Sequence, residues 1–157
     1  MKKHILGLAL AMALVGCTTD GSAPPIIGDS TNPASQRARL DTIVSNLDTA
    51  KSISWARYQS ALLENKAALT DVAKTCAAPV GLTNNELIAS CYAVSAQAYA
   101  LLADHPYDAS AEDENPVLAA AAVGERASEP CGTLPGSAAC DAIDLSVSTA
   151  LGRAASA

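Results

Sequence analysis

TNNELIASCYAVSAQAYALLAD, residues 83–104, decides the fold. Thr83 and Glu86 stand three apart, the spacing of a capping box in which each side chain satisfies the other residue's free backbone amide. Leu87 or Ile88, Cys91, Val94, Ala98 and Leu101 or Leu102 then recur every three to four residues, the period of one buried helical stripe. A helix is expected to about Asp104, stopped by Pro106. Upstream, Pro79 and Gly81 close an earlier helical segment that opens at Asn32-Pro33, where Asn offers a cap oxygen and proline at the first position forfeits no hydrogen bond. Between Pro33 and Ala78 there is neither glycine nor proline, and Leu40, Val44, Leu47, Ser54, Tyr58, Ala61, Leu69, Val72 and Cys76 roughly keep helical spacing. This is one long helix, or two meeting near Ser52-Ile53-Ser54, where propensity is weakest. Folding the two segments back on each other at residues 79–83 brings Cys76 and Cys91 almost level. Four cysteines outside the leader allow three pairings, and the hairpin favours Cys76 with Cys91.

Working onward, residues 107–115 (YDASAEDEN) carry the acidic run Glu112-Asp113-Glu114 without an apolar face and read as a loop. Asn115-Pro116 repeats the cap-and-proline start, and an alanine-rich helix is expected from there to about Gly124, with Pro130 as its limit. Cys131 to Cys140 reads as a small loop turning at Pro135-Gly136, closed by the second disulfide. Ile143, Val147, Ala150, Leu151 and Ala154 share one helical face; nothing else in the chain offers a partner for a strand here. Alanine fills 34 of 157 positions and phenylalanine none, so helices approach closely but each residue buries little area. Disulfides compensate for a thin core of this kind. The fold class is therefore all-α: an antiparallel bundle of three to four helices with two disulfides, spanning residues 32–157.

Working outward from the bundle to the start of the chain, residues 18–31 (TTDGSAPPIIGDST) have no period and read as a flexible tether reaching at most about 50 Å. Ahead of them, Lys2 and Lys3 precede an apolar run from Ile5 to Val15 that is too short to span a bilayer. That run ends Leu14-Val15-Gly16-Cys17. It resembles the lipobox of bacterial lipoprotein precursors. The resemblance covers residues 1–17 and implies a signal peptide over 1–16, cleavage before Cys17, a diacylglycerol thioether on its sulfur and acylation of the new amino terminus. Several acyl chains make a membrane anchor effectively permanent, since each buried methylene adds about 0.8 kcal/mol. In that class an Asp after the lipidated cysteine retains the protein at the inner membrane. Thr18 at this position implies an outer-membrane anchor facing the periplasm.

The net charge is −6 for the whole chain, and removing Lys2 and Lys3 with the leader makes it −8. Nucleic acid is excluded as a partner on that balance. No phosphate-binding glycine pattern, zinc-ligand spacing or haem motif occurs, so neither cofactor nor metal is expected. His105, between Asp104 and Pro106, reads as a helix-end residue that favours the dipole rather than a catalytic base. The acidic run reads as solvated charge. Residues 33–78 carry net +2 and residues 79–157 net −8, so either the first segment lies against acidic partners or an acidic face is offered to a basic protein. Trp55 with Tyr58, and Tyr92 with Tyr99, fall on helix faces and mark a face for a partner or ligand if they are not simply core.

The leading expectation is a non-enzymatic interaction or accessory module that binds an envelope protein. A small-ligand protein or carboxylate hydrolase is the alternative, and a pocket enclosing two or more carboxylates beside a tyrosine would favour it. A structural envelope lipoprotein, abundant and without a stoichiometric partner, is the third reading.

Overall fold

Serine decides how many helices the chain makes. In the computed structural model, which describes residues 31–111 and 113–156, the long glycine-free segment breaks at Ser54 into α1 (Pro33–Ile53) and α2 (Trp55–Ala77). Ser54 adopts extended backbone, donates its amide to Ala50 O at 3.2 Å and accepts from Arg57 N on its hydroxyl at 3.1 Å. It thus closes one helix and caps the next. Three more helices follow: α3 (Asn85–Leu102), α4 (Pro116–Gly132) and α5 (Ala138–Ser156). Among the described residues the count is five rather than three to four, because one segment became two and the last segment is helical throughout.

The helices run up and down in sequence. Arg39 pairs with Asp71 across α1 and α2 at 2.8 Å, and Ser95 on α3 donates to Ala73 O on α2 at 2.6 Å. Arg37 on α1 donates to Gln97 on α3 at 2.5 Å. α3 is the hub: α1, α2, α4 and α5 all pack on it, while α1 packs also on α2 and α5 also on α4. Its alanines 89, 93, 96, 98 and 100 are buried, which is what lets four neighbours crowd around one helix. Leu40, Leu47, Leu62, Leu69, Val72, Val94, Val123 and Ile143 fill the core between them. Gly124 on α4 faces Val147 on α5 so closely that a methyl group there would meet its Cγ2 at 3.1 Å.

Several boundaries differ from expectation. The cap of α3 is Asn84, whose side chain accepts from Glu86 N and Leu87 N, so the cap falls one residue later than Thr83 and, with Leu87 at the third helical position, the expected reciprocal box with Glu86 does not form. An Asn oxygen one residue closer to the helix reaches the same free amides. Pro130 does not end α4. It sits buried in the last turn, where Thr133 N and Leu134 N bond to Pro130 O and Cys131 O with three-residue spacing. A proline forfeits only its own donor, and the tightened turn keeps its carbonyl in use. The loop between α4 and α5 shrinks to residues 133–137, with Gly136 at φ +72°. Cys131 and Cys140 are joined across it. Cys76 and Cys91 are brought level as expected, but they face each other as buried thiols with sulfurs 2.6 Å apart. The leader, Cys17 and the tether up to residue 30 lie outside the described residues, as does Glu112 of the acidic run. Among the described residues no helix is long and apolar enough to cross a membrane.

Candidate functional site

α2 and α4 both pack on α3 without packing on each other to a comparable extent, and the space between them is a trough. Its first section, about 300 Å³, lies between α2, the end of α3 and the loop over 103–115. Lys66, Thr70 and Lys74 form its α2 wall, at successive four-residue steps on one stripe. Tyr99 closes the floor. The loop supplies Pro106, Tyr107, Asp113 and Glu114. A second section, about 460 Å³, shares Lys74, Tyr99, Asp113 and Glu114 with the first and runs on between Ala77 of α2 and Ala119, Val123 and Arg126 of α4. Small side chains on both walls leave it open. A third, about 350 Å³, lies beyond Arg126 and includes Tyr92, Val80 and Glu129.

Charge in the trough is mixed and ordered. Lys66 holds Asp113 in an ion pair, which folds the loop back on α2, and Tyr107 donates to Asp113 O at 3.0 Å. Tyr99 donates its hydroxyl to Glu114 at 2.9 Å. Burial pushes the Tyr99 phenol well above its ordinary range, and the Glu114 carboxylate adds to the shift. Asp108 is held below the usual carboxylate range by hydrogen bonds from the hydroxyl and amide of Ser110. Arg126 donates to Ala77 O at 2.8 Å, capping the carbonyl end of α2 from across the trough. Among the described residues Lys74 has no carboxylate within ion-pair distance. Nor does any group of three or more metal-ligating side chains occur among them.

The four aromatic residues singled out by spacing separate into two places. Tyr92 and Tyr99, two turns apart on α3, lie along the trough, Tyr92 half-buried and Tyr99 only 3% exposed. Trp55 and Tyr58 are at the other end of α2, ring centroids 5.1 Å apart, and do not join that face. Tyr58 is a core residue at 3% exposure, whereas Trp55 is 60% exposed. The Tyr58 hydroxyl donates to Asp104, whose side chain is 11% exposed and pairs with Arg153 Nε at 2.5 Å. Arg153 also donates to Ala100 O, so the tyrosine, aspartate and arginine tie α2, α3 and α5 together. That cluster is satisfied internally and has no open coordination. His105 takes a place in the trough wall, its Nδ1 3.0 Å from Pro106 O, with no carboxylate bound to orient it as a base.

Lys66, Thr70 and Lys74 were not recognised as site residues from sequence. Their four-residue repeat is the signal that marks them, though it is shared by any exposed helix stripe. The charge split is resolved only in part: of the four ion pairs among described residues, Lys66–Asp113 alone joins the basic first half to the acidic second. Glu125, Glu129, Asp141 and Asp144 stay exposed on α4 and α5. Comparison of the chain with protein-family models, curated proteins and solved structures finds no match.

Proposed function

We propose that the chain is a lipid-anchored, non-enzymatic accessory module of the bacterial envelope that captures an extended segment of another envelope protein in the trough between α2 and α4. The anchor is Cys17, on the resemblance of residues 14–17 to a lipobox, and the protein faces the periplasm from the outer membrane. The trough carries the binding half of the reading. From Leu63 to Ala78 its α2 wall runs about 22 Å, enough for roughly six or seven residues of extended chain. Tyr99 and Tyr92 give stacking surface along the floor. Lys74 on the α2 wall and Arg126 on the α4 wall, with Asp113 and Glu114 lining the same section, offer the charges that would set a direction.

Affinity capture with the lipidated chain from gently solubilised envelopes tests this. One envelope protein at near-equal ratio is expected, and Lys74→Glu, an exposed change, abolishes its recovery while leaving the helical content intact. Recovery of the chain alone, or undiminished capture by Lys74→Glu, overturns the reading.

One observation favours a second reading. The first section of the trough gathers Asp108, Asp113 and Glu114 with Tyr99 and Tyr107, the combination expected of a ligand site or carboxylate hydrolase. Against hydrolysis, both Asp113 and Glu114 are exposed, and Asp113 is neutralised by Lys66, so neither is in the apolar setting that makes a carboxyl a general acid. A small molecule that binds at equal ratio and is lost in both Asp113→Asn and Glu114→Gln would establish this second reading.

A further inference from the structure

Among the described residues, nothing covers the corner between α1 and α2. Residues 51–57 are all exposed, and Ile53 and Trp55 project there at 66% and 60% exposure. Trp55 packs its ring at a tilt on Tyr58, centroids 5.1 Å apart, and its remaining surface faces solvent with Ile53. Lys51 and Arg57 flank the pair, Lys51 Nζ lying 5.5 Å from the Tyr58 ring centroid. In a chain of net charge −6 this is a local basic point, with Asp48 one turn back on α1. The acidic loop does not reach it: Asp113 is fixed on Lys66, eleven residues and about 16 Å along α2 from Trp55.

We propose that this corner docks on a lipid surface, with Trp55 and Ile53 entering the headgroup region and Lys51 and Arg57 meeting lipid phosphates. Tryptophan combines a large apolar body with an N–H donor and favours the water–lipid boundary. Basic side chains beside it gain from anionic headgroups, roughly 1 kcal/mol each near such a surface. Chain length permits the contact. Cys91 Sγ lies 4.0 Å from Thr31 O, so the tether leaves the bundle beside the α2–α3 turn, at the far end of α1 from the corner. The 21 residues of α1 put these two points about 30 Å apart. Fourteen residues of tether reach about 50 Å, so the corner meets the membrane that holds the anchor, and the bundle lies along the surface. Two residues alone bind lipid weakly. An anchor on the same chain raises their effective concentration enough for the contact to persist, and to this extent the inference rests on lipidation of Cys17.

Trp55 is the only tryptophan, so its emission reports the corner without labelling. The mature full-length chain is combined with vesicles of phosphatidylethanolamine and phosphatidylglycerol, with plain or brominated acyl chains. Flotation with the vesicles reports the anchor; quenching by bromine reports the corner, and at high vesicle concentration does so even for chain without lipid. The expected result is strong quenching of Trp55 in brominated vesicles, lost in Ile53→Asp and weakened in the Lys51→Glu, Arg57→Glu double variant. Equal emission from the two kinds of vesicle overturns the proposal. So does a shift in Trp55 emission that follows protein concentration instead of bromination, which assigns the corner to a second copy of the chain.

Discussion

At the scale of single residues, spacing placed Tyr58 on a helix face but could not say that its hydroxyl finds a buried partner. Tyr58 and Trp55 are three apart on one stripe, yet one is core and the other solvent, because the bundle ends between them. That boundary is set by where α3 stops, at Leu102, just before Asp104, a fact of tertiary register. Asp104 keeps Arg153 when the phenol is removed, but its side chain is nearly closed to water. Tyr58→Phe is therefore expected to lower stability by roughly 1–2 kcal/mol in chemical denaturation. Tyr99→Phe should cost less, since Glu114 is exposed and water replaces the lost donor. The two phenols also set an alkaline limit. Burial, with a hydrogen-bonded carboxylate beside each, raises both above their ordinary range, so the folded state holds its protons more tightly than the unfolded one. Their contribution is complete below a pH of about 10, the value for an unfolded tyrosine, and is lost as pH rises from there toward the folded range. Thermal melts between pH 8 and 12 are expected to show that decline, shallower in Tyr58→Phe.

At the scale of elements, caps and breakers were the most legible feature. Asn32-Pro33 and Asn115-Pro116 open α1 and α4 as their residue types require. Ser54 was one of two open alternatives, and its hydroxyl and extended backbone explain why the break falls there. Ser54→Ala removes the acceptor for Arg57 N and is expected to cost about 1 kcal/mol, measurable by urea denaturation with no change in the number of helices. Pro130 was misleading because a proline's local cost says nothing about the last turn being tightened and pinned through Cys131 to α5. The level placement of Cys76 and Cys91 followed from hairpin geometry alone. Contact with Cys91 and burial push the Cys76 thiol up while the same contact holds Cys91 down, so it is the burial of both sulfurs that keeps alkylating reagents off the folded pair. Closing a ring of about fifteen residues stabilises by roughly 3 kcal/mol in the chain-entropy model. Chain recovered from an oxidising compartment is expected to take up no thiol reagent after unfolding, and chain made in a reducing one to take it up at all four cysteines of the bundle, Cys76, Cys91, Cys131 and Cys140. Free thiols in both preparations would contradict this.

At the scale of the whole molecule, the all-α class was written in the periodicity, but the trough was not. It exists because α3 is so rich in alanine that four helices gather on it, and four helices around one hub leave α2 and α4 apart. Helix order and three-to-four spacing are local properties; which pair of helices fails to meet is not. Of the four aromatic residues singled out by spacing, Tyr92 and Tyr99 line the trough and Trp55 and Tyr58 do not. The central claim is that this trough, and not the acidic outer face of α4 and α5, is where a partner segment binds. The most direct test places a photo-crosslinking side chain at Leu63 or Lys74 on the trough wall, and at exposed Leu145 on α5, in lipidated chain within intact envelopes. The account predicts one discrete adduct from each trough position and none from Leu145; adducts from Leu145 alone, or none from either trough position, would contradict it.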